Sequence, residues 1–104
     1  MPATYSVEIT PSAEADIGEI WDYISQDSPG NAESFILALE EQIASLKRFP
    51  ERCPRIPENQ ILGTSYRHLL HGPYRAIFRI TGSKVVILRV IHGGRLLDAS
   101  FLAL

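Results

Sequence analysis

From Tyr66 to Arg95 the chain reads SYRHLLHGPYRAIFRITGSKVVILRVIHGGR once Ser65 is included, and its two longest apolar runs meet at Gly82-Ser83. A glycine-led dipeptide between runs of Ile, Val, Phe and Leu is the signal of an antiparallel hairpin, because glycine takes the positive φ of a two-residue turn at no steric cost. The stretch is therefore two or three adjacent strands. With Gly82 and Ser83 as the turn, Arg75 faces Val90, Ile77 faces Leu88 and Arg79 faces Val86. Side chains alternate across a sheet, so Arg75, Ile77, Arg79, Val86, Leu88, Val90 and His92 share one face. Tyr74, Ala76, Phe78, Ile80, Val85, Ile87, Arg89 and Ile91 share the other. That second face is apolar apart from Arg89 and calls for a helical cover. The first mixes aliphatic and cationic groups, which predicts a surface for an anionic partner; the alternative is that Arg75 and Arg79 are simply solvated on an open face.

Helical cover is available upstream. Thr4 to Ile9 alternates as a strand with one buried face. Thr10-Pro11 then combines a capping hydroxyl with a proline suited to the first helical position. Ala13, Ile17, Ile20, Trp21 and Ile24 form one apolar stripe, with Glu14, Asp16, Glu19 and Asp22 away from its centre, and this helix ends near Ser25 to Asp27. Ser28-Pro29 repeats the start signal, and Ala32, Phe35, Ile36, Leu39, Ile43 and Leu46 make a second stripe that stops at Phe49-Pro50. Two helices with so short a link form an antiparallel hairpin. Pro50 to Gly63 reads as a long surface loop with Arg52 and Arg55 at its tips, and the tail after Gly93-Gly94-Arg95 is apolar at Leu96, Leu97, Phe101, Leu102 and Leu104.

At 104 residues, 45% apolar and 21% charged, the chain is one globular α+β domain over residues 1–104. No apolar run is long enough to span a bilayer and the N-terminus lacks a signal-peptide pattern, so a cytoplasmic protein without membrane contact is expected. The single cysteine, Cys53, excludes an internal disulfide, and among Pro50, Pro54 and Pro57 it reads as a small loop residue. His68 and His71, three apart on a strand, point to opposite faces and do not make a metal pair; no cofactor or metal is expected. Charge is unevenly divided. Residues 1–49 hold nine acidic and two basic residues, net −7, and residues 50–104 hold eight basic and three acidic, net +5. A basic sheet half points to an acidic or polyanionic partner and leaves direct nucleic-acid contact open.

Taken in order, Tyr5, the segment TPSAEAD (Thr10 to Asp16), a second helix with Ala32 and Phe35 ending in LKRFP, then YRHLLHGPYRAIFRI and VVILRVIHGGR, resemble the RelE/ParE toxin superfamily, specifically its ParE branch, over about Tyr5 to Arg95. The resemblance implies an N-terminal strand and an antiparallel helix hairpin packed on a small, mostly antiparallel sheet. It also implies a growth-inhibiting toxin of a type II toxin-antitoxin (plasmid stabilisation) system, neutralised by a cognate ParD-like antitoxin. ParE-like members act on DNA gyrase; RelE-like members cut messenger RNA on the ribosome.

The residues weigh these activities differently. RNA cleavage needs a base for the 2′-hydroxyl, cations for the phosphate and an acid for the leaving oxygen. In similar nucleases these are lysines on the strand entering the sheet, two arginines and a tail tyrosine. Here Arg75 and Arg95 match the arginines, the lysine positions fall on Tyr66 and His68, and the tyrosine falls on Phe101. A phenyl ring transfers no proton, and arginine is no base at neutral pH. A nuclease would rest on Arg75, His92 and Arg95. The incomplete set favours a binding inhibitor that uses Arg75, Arg79, His92, Arg95 and Phe101 against antitoxin or target. A non-toxic interaction module on the same scaffold is the remaining alternative.

Overall fold

Thr10 and Pro11 turn the chain from a strand, β1 (Ser6–Ile9), straight into a helix, α1 (Pro11–Ser25). A computed structural model describes residues 4–98. Thr10 Oγ1 accepts the Ala13 N–H at 3.1 Å, the cap expected from the sequence, and Ser28 caps α2 (Pro29–Ala44) in the same way through the Asn31 N–H at 3.3 Å. Two short 3₁₀ turns follow at Ser45–Lys47 and Pro50–Arg52, then a one-turn helix α3 (Asn59–Leu62). Three strands close the described chain: β2 (Arg67–His71), β3 (Tyr74–Thr81) and β4 (Lys84–His92). The sheet order is β1-β4-β3-β2, with β1 parallel to β4 and the other pairs antiparallel. Pro50 to Gly63, expected as a loop, thus contains a 3₁₀ turn and α3.

Both hairpins turn on two residues, Gly72-Pro73 and Gly82-Ser83. Gly82 has φ +58° and Gly72 φ +54°, which a side-chain-bearing residue adopts at a cost. The helix pair covers one face of the sheet. Ala13, Ile20, Ile36, Leu39, Ile43 and Leu46 pack there on Ala76, Phe78, Val85, Ile87 and Val90. Trp21, placed on the first apolar stripe, is instead 37% exposed at the stripe's margin. On the opposite face a smaller cluster joins Ile56, Ile77, Ile91 and Leu97, so the connection after α2 and the start of the tail supply its cover.

The register of β3 and β4 corrects the sequence reading. Arg79 pairs with Val86 as expected, but between Ile77 and Phe78 the register shifts, and Arg75 faces Ile91 rather than Val90 while Ile77 faces Arg89 rather than Leu88. The skipped residue is Leu88, a β-bulge on β4. Downstream of it the faces exchange: Val90 joins the helix-side core and Ile91 the outer cluster, the reverse of strict alternation.

The bulge lies where β1 has ended and can no longer pair with β4. Thr10 N–H donates to the Ile87 carbonyl at 3.1 Å and Thr10 Oγ1 to the Leu88 carbonyl at 3.0 Å. Asp16 Oδ2 accepts the Val90 N–H at 2.9 Å and the Arg89 Nε at 2.7 Å, and its Oδ1 accepts Arg89 Nη2 at 2.8 Å. The first turns of α1 therefore continue the ladder that β1 leaves off. A buried backbone donor left without such a partner would cost about 1–3 kcal/mol.

Candidate functional site

Arg75 stands on β3 beside the small outer cluster, and its guanidinium is buried. Nη1 donates to Glu58 Oε1 at 3.2 Å, Nη2 donates to Glu58 Oε2 in a short contact, and Nη2 also donates to the Arg95 carbonyl at 2.7 Å. Glu58 Oε2 accepts the Leu97 N–H at 2.8 Å. One carboxylate thus ties the loop before α3, the middle of the sheet and the start of the tail. The hydrogen bond from Arg75 lowers the Glu58 pKa to about 2, with the Leu97 N–H adding to the effect and burial opposing it. Nε of Arg75 is buried without a hydrogen-bond partner among the described residues.

His68 lies at the same junction, its Nδ1 3.3 Å from Arg75 Nη1. Burial first, and the neighbouring guanidinium second, lower its pKa and keep the ring neutral. Arginine only donates, so Nδ1 accepts here and the proton sits on Nε2. Such a ring has no lone pair left with which to take a proton from a substrate. His71 points the other way, against the edge of Phe35 with ring centroids 4.8 Å apart, as the odd spacing on a strand requires.

The C-terminal end of β4 forms a second locale. His92 is exposed, its ring 5.8 Å from that of Tyr74 in an edge contact, and its Nδ1 accepts the Gly94 N–H at 3.2 Å. Tyr23, Tyr74, Arg89, His92 and Arg95, with Asp16 and Glu19, line a cleft of about 220 Å³ between α1 and this strand end. An apolar groove of about 540 Å³ lies elsewhere, between Pro57, Ile61 and Leu62 on one side and Leu96 and Leu97 on the other. Ile61 is 90% exposed and Leu96 72%.

The expected row of cations is not assembled. Arg75 and Arg79 occupy the same side of β3, but Arg75 is consumed by Glu58 while Arg79 is exposed near the hairpin turn. His92, expected beside Arg75, lies with Tyr74 on the other side of the sheet because the bulge reverses the alternation of β4. Arg95 meets Arg75 through its backbone carbonyl, and its side chain lines the cleft. Phe101 falls outside the described residues. Glu58 and Asp16 are the buried acids that sequence reasoning missed. For Asp16 a signal existed, since Arg89 is the lone charge on an otherwise apolar strand face and required an anion in the helical layer. For Glu58 none did: it stands in an aperiodic segment between prolines. Among the described residues no cluster of His, Cys, Asp and Glu is arranged to hold a metal, and no helix is long and apolar enough to cross a membrane.

Comparison with known proteins places this architecture. A solved structure from a chromosomal ParDE toxin-antitoxin system of P. aeruginosa is 26% identical, covers 86% of this chain and 97% of its own, and superposes with a TM-score of 0.69. The toxin-antitoxin complex RelBE2 from Mycobacterium tuberculosis shares the fold at 24% identity, covering 89% of this chain and 95% of that one, with a TM-score of 0.60. No curated protein matches. The model of the family described as ParE toxin of type II toxin-antitoxin system, parDE, matches residues 7–97, from the second residue of β1 through the tail residue that Glu58 anchors, and the chain belongs to that family.

Proposed function

We propose that this toxin of a type II toxin-antitoxin system arrests growth by binding DNA gyrase, not by cutting RNA. The observation that carries the reading is the state of Arg75. A nuclease would aim this guanidinium at the scissile phosphate, but here Glu58 neutralises it in a buried pair and the Arg95 carbonyl takes a further donor. His68 is neutral with its acceptor nitrogen occupied, and His92 is on the far side of the sheet, so among the described residues no histidine is placed to act as general base beside Arg75.

Binding then falls to exposed groups. We assign Arg79, His92, Arg95 and the tail through Phe101 to the surface that meets antitoxin or target, with Arg75 acting from beneath by holding the tail. On this reading the pair works in the cytoplasm, serves plasmid stabilisation, and is silenced by a ParD-like antitoxin. Purified full-length toxin in micromolar excess is expected to block supercoiling by gyrase, and prior addition of antitoxin to restore it. Normal supercoiling under those conditions removes the proposal. Messages cut after induction, with gyrase unaffected, establish the ribosome-dependent nuclease instead, and growth without arrest establishes a non-toxic module.

A further inference from the structure

Ile61, on the one-turn helix α3, and Leu96, at the start of the tail, line the apolar groove of about 540 Å³ and are both exposed. The core does not need them. Ile56, Ile77, Ile91 and Leu97, with Leu62 and Tyr66 against them, make up the outer cluster, and it takes in neither Ile61 nor Leu96. Two large aliphatic side chains meeting at one groove outside the core mark a surface that something covers. The charge of the lining narrows what that is. Both charged residues that line the groove are acids: Glu58, already bound to Arg75, and Asp98. An acidic partner, the kind the basic half of the chain calls for, meets like charge here and finds its cations elsewhere. The groove suits an uncharged apolar segment.

Such a segment continues from the groove's own wall. Ala99 to Leu104 reads ASFLAL, without a charged side chain, and follows directly on Asp98. The Leu97 N–H, bound to Glu58 Oε2 at 2.8 Å, fixes where that segment starts. From Asp98 to Phe101 an extended chain spans about 10 Å, and the tether raises the local concentration of the tail above that of any free peptide. Leu96, Leu97 and Asp98 are exposed, buried and exposed in turn. Phe101, four residues after Leu97, falls on the same side as Leu97 in an extended chain and in a helix alike. We propose that Phe101 plugs this groove in the free toxin, against Ile61, Leu62 and Leu96, and so holds the tail beside α3. In that seat Phe101 serves the partner surface by fixing the tail that carries part of it. The docking goes beyond the gyrase reading and stands whichever target the toxin has.

Chymotryptic cleavage of the Phe101–Leu102 bond in the full chain, followed by mass spectrometry, tests it. Cleavage tracks the fraction of molecules whose tail is released. Ile61→Ser is expected to be cut there about tenfold faster than wild type, and Ile61→Leu at the wild-type rate. A second measurement leaves α3 untouched: ring current from Phe101 should place the Ile61 δ-methyl proton resonance upfield of its position in Phe101→Ala. Equal cleavage of wild type and Ile61→Ser, or the same Ile61 methyl position in wild type and Phe101→Ala, overturns the proposal. Protection that disappears on dilution assigns the groove to the tail of a second copy and overturns docking within one chain. So does antitoxin affinity that Ile61→Ser weakens while cleavage is unchanged, which gives the groove to the antitoxin.

Discussion

Glu58 concentrates more of the outer face than any other side chain, because one carboxylate satisfies Arg75 and the Leu97 N–H together. Its pKa is held at about 2 against an ordinary 4.5. A depressed carboxylate contributes stability that is present above the unfolded value and is lost as pH falls towards the folded one. The loss therefore falls between about pH 4.5 and 2 and amounts to about 3 kcal/mol. Urea unfolding across that window should show wild type losing stability steeply and Glu58→Gln changing much less from this source; parallel profiles would show that the pair is not what acid disrupts. At pH 7 Glu58→Gln should itself cost about 2–4 kcal/mol, since it leaves a buried guanidinium without its counter-ion. The same fact limits what substitution at Arg75 can reveal about binding. Charge reversal there would place two buried carboxylates together and unfold the site before it reported on any partner. Sequence alone located Arg75 but not this outcome, because a buried ion pair between residues 17 apart leaves no periodic trace.

At the level of elements, much was legible. Thr10-Pro11 and Ser28-Pro29 start the two helices where a capping hydroxyl followed by proline predicts, and Gly82-Ser83 closes the β3–β4 hairpin. The bulge at Leu88 was not legible, since a run of Val, Ile and Leu reads equally well in either register. What fixes the register is tertiary: Thr10 and Asp16 supply the partners that the bulged backbone needs. Asp16→Ala should therefore cost about 2–4 kcal/mol in urea unfolding, because it strips a partner from both Arg89 and the Val90 N–H; a loss below about 1 kcal/mol would mean that the bulge is held by the hairpin alone. The two hairpin glycines give a sharper comparison. Added Cβ atoms meet nothing within 4 Å at Gly82, but at Gly72 they come within 3.0 Å of Phe35 Cε2. Both positions have positive φ, so alanine strains both backbones. Gly72→Ala should cost about 1 kcal/mol more than Gly82→Ala, as Phe35 is displaced from His71 and Tyr74. Equal costs would show that Phe35 shifts freely over the turn.

Across the whole molecule the charge tally is real but its geometry differs from a cationic sheet face. Of the basic half's cations, Arg75 is neutralised by Glu58, and Arg89 by Asp16, an acid borrowed from the helical half. Lys84 faces Glu8 at 3.3 Å across the exposed β1–β4 edge, a pair of little weight in water. Exposed among the remaining cations are Arg79 by the hairpin turn, Arg52 and Arg55 in the loop after α2, and Arg95 at the cleft beside the end of β4. Charges in such places act on encounter more than on residence, because they attract an acidic partner from a distance and stay hydrated once it has docked. Arg79→Glu should accordingly slow association with the cognate antitoxin about three- to tenfold at low salt while leaving dissociation nearly unchanged. The difference should shrink as ionic strength approaches 0.5 M and the Debye length falls to about 4 Å. Stopped-flow mixing at several salt concentrations separates the two rates. If Arg79→Glu instead accelerates dissociation with a salt-independent effect, Arg79 is desolvated in the complex and belongs to the buried centre of the interface, where a carboxylate of the antitoxin must meet it directly.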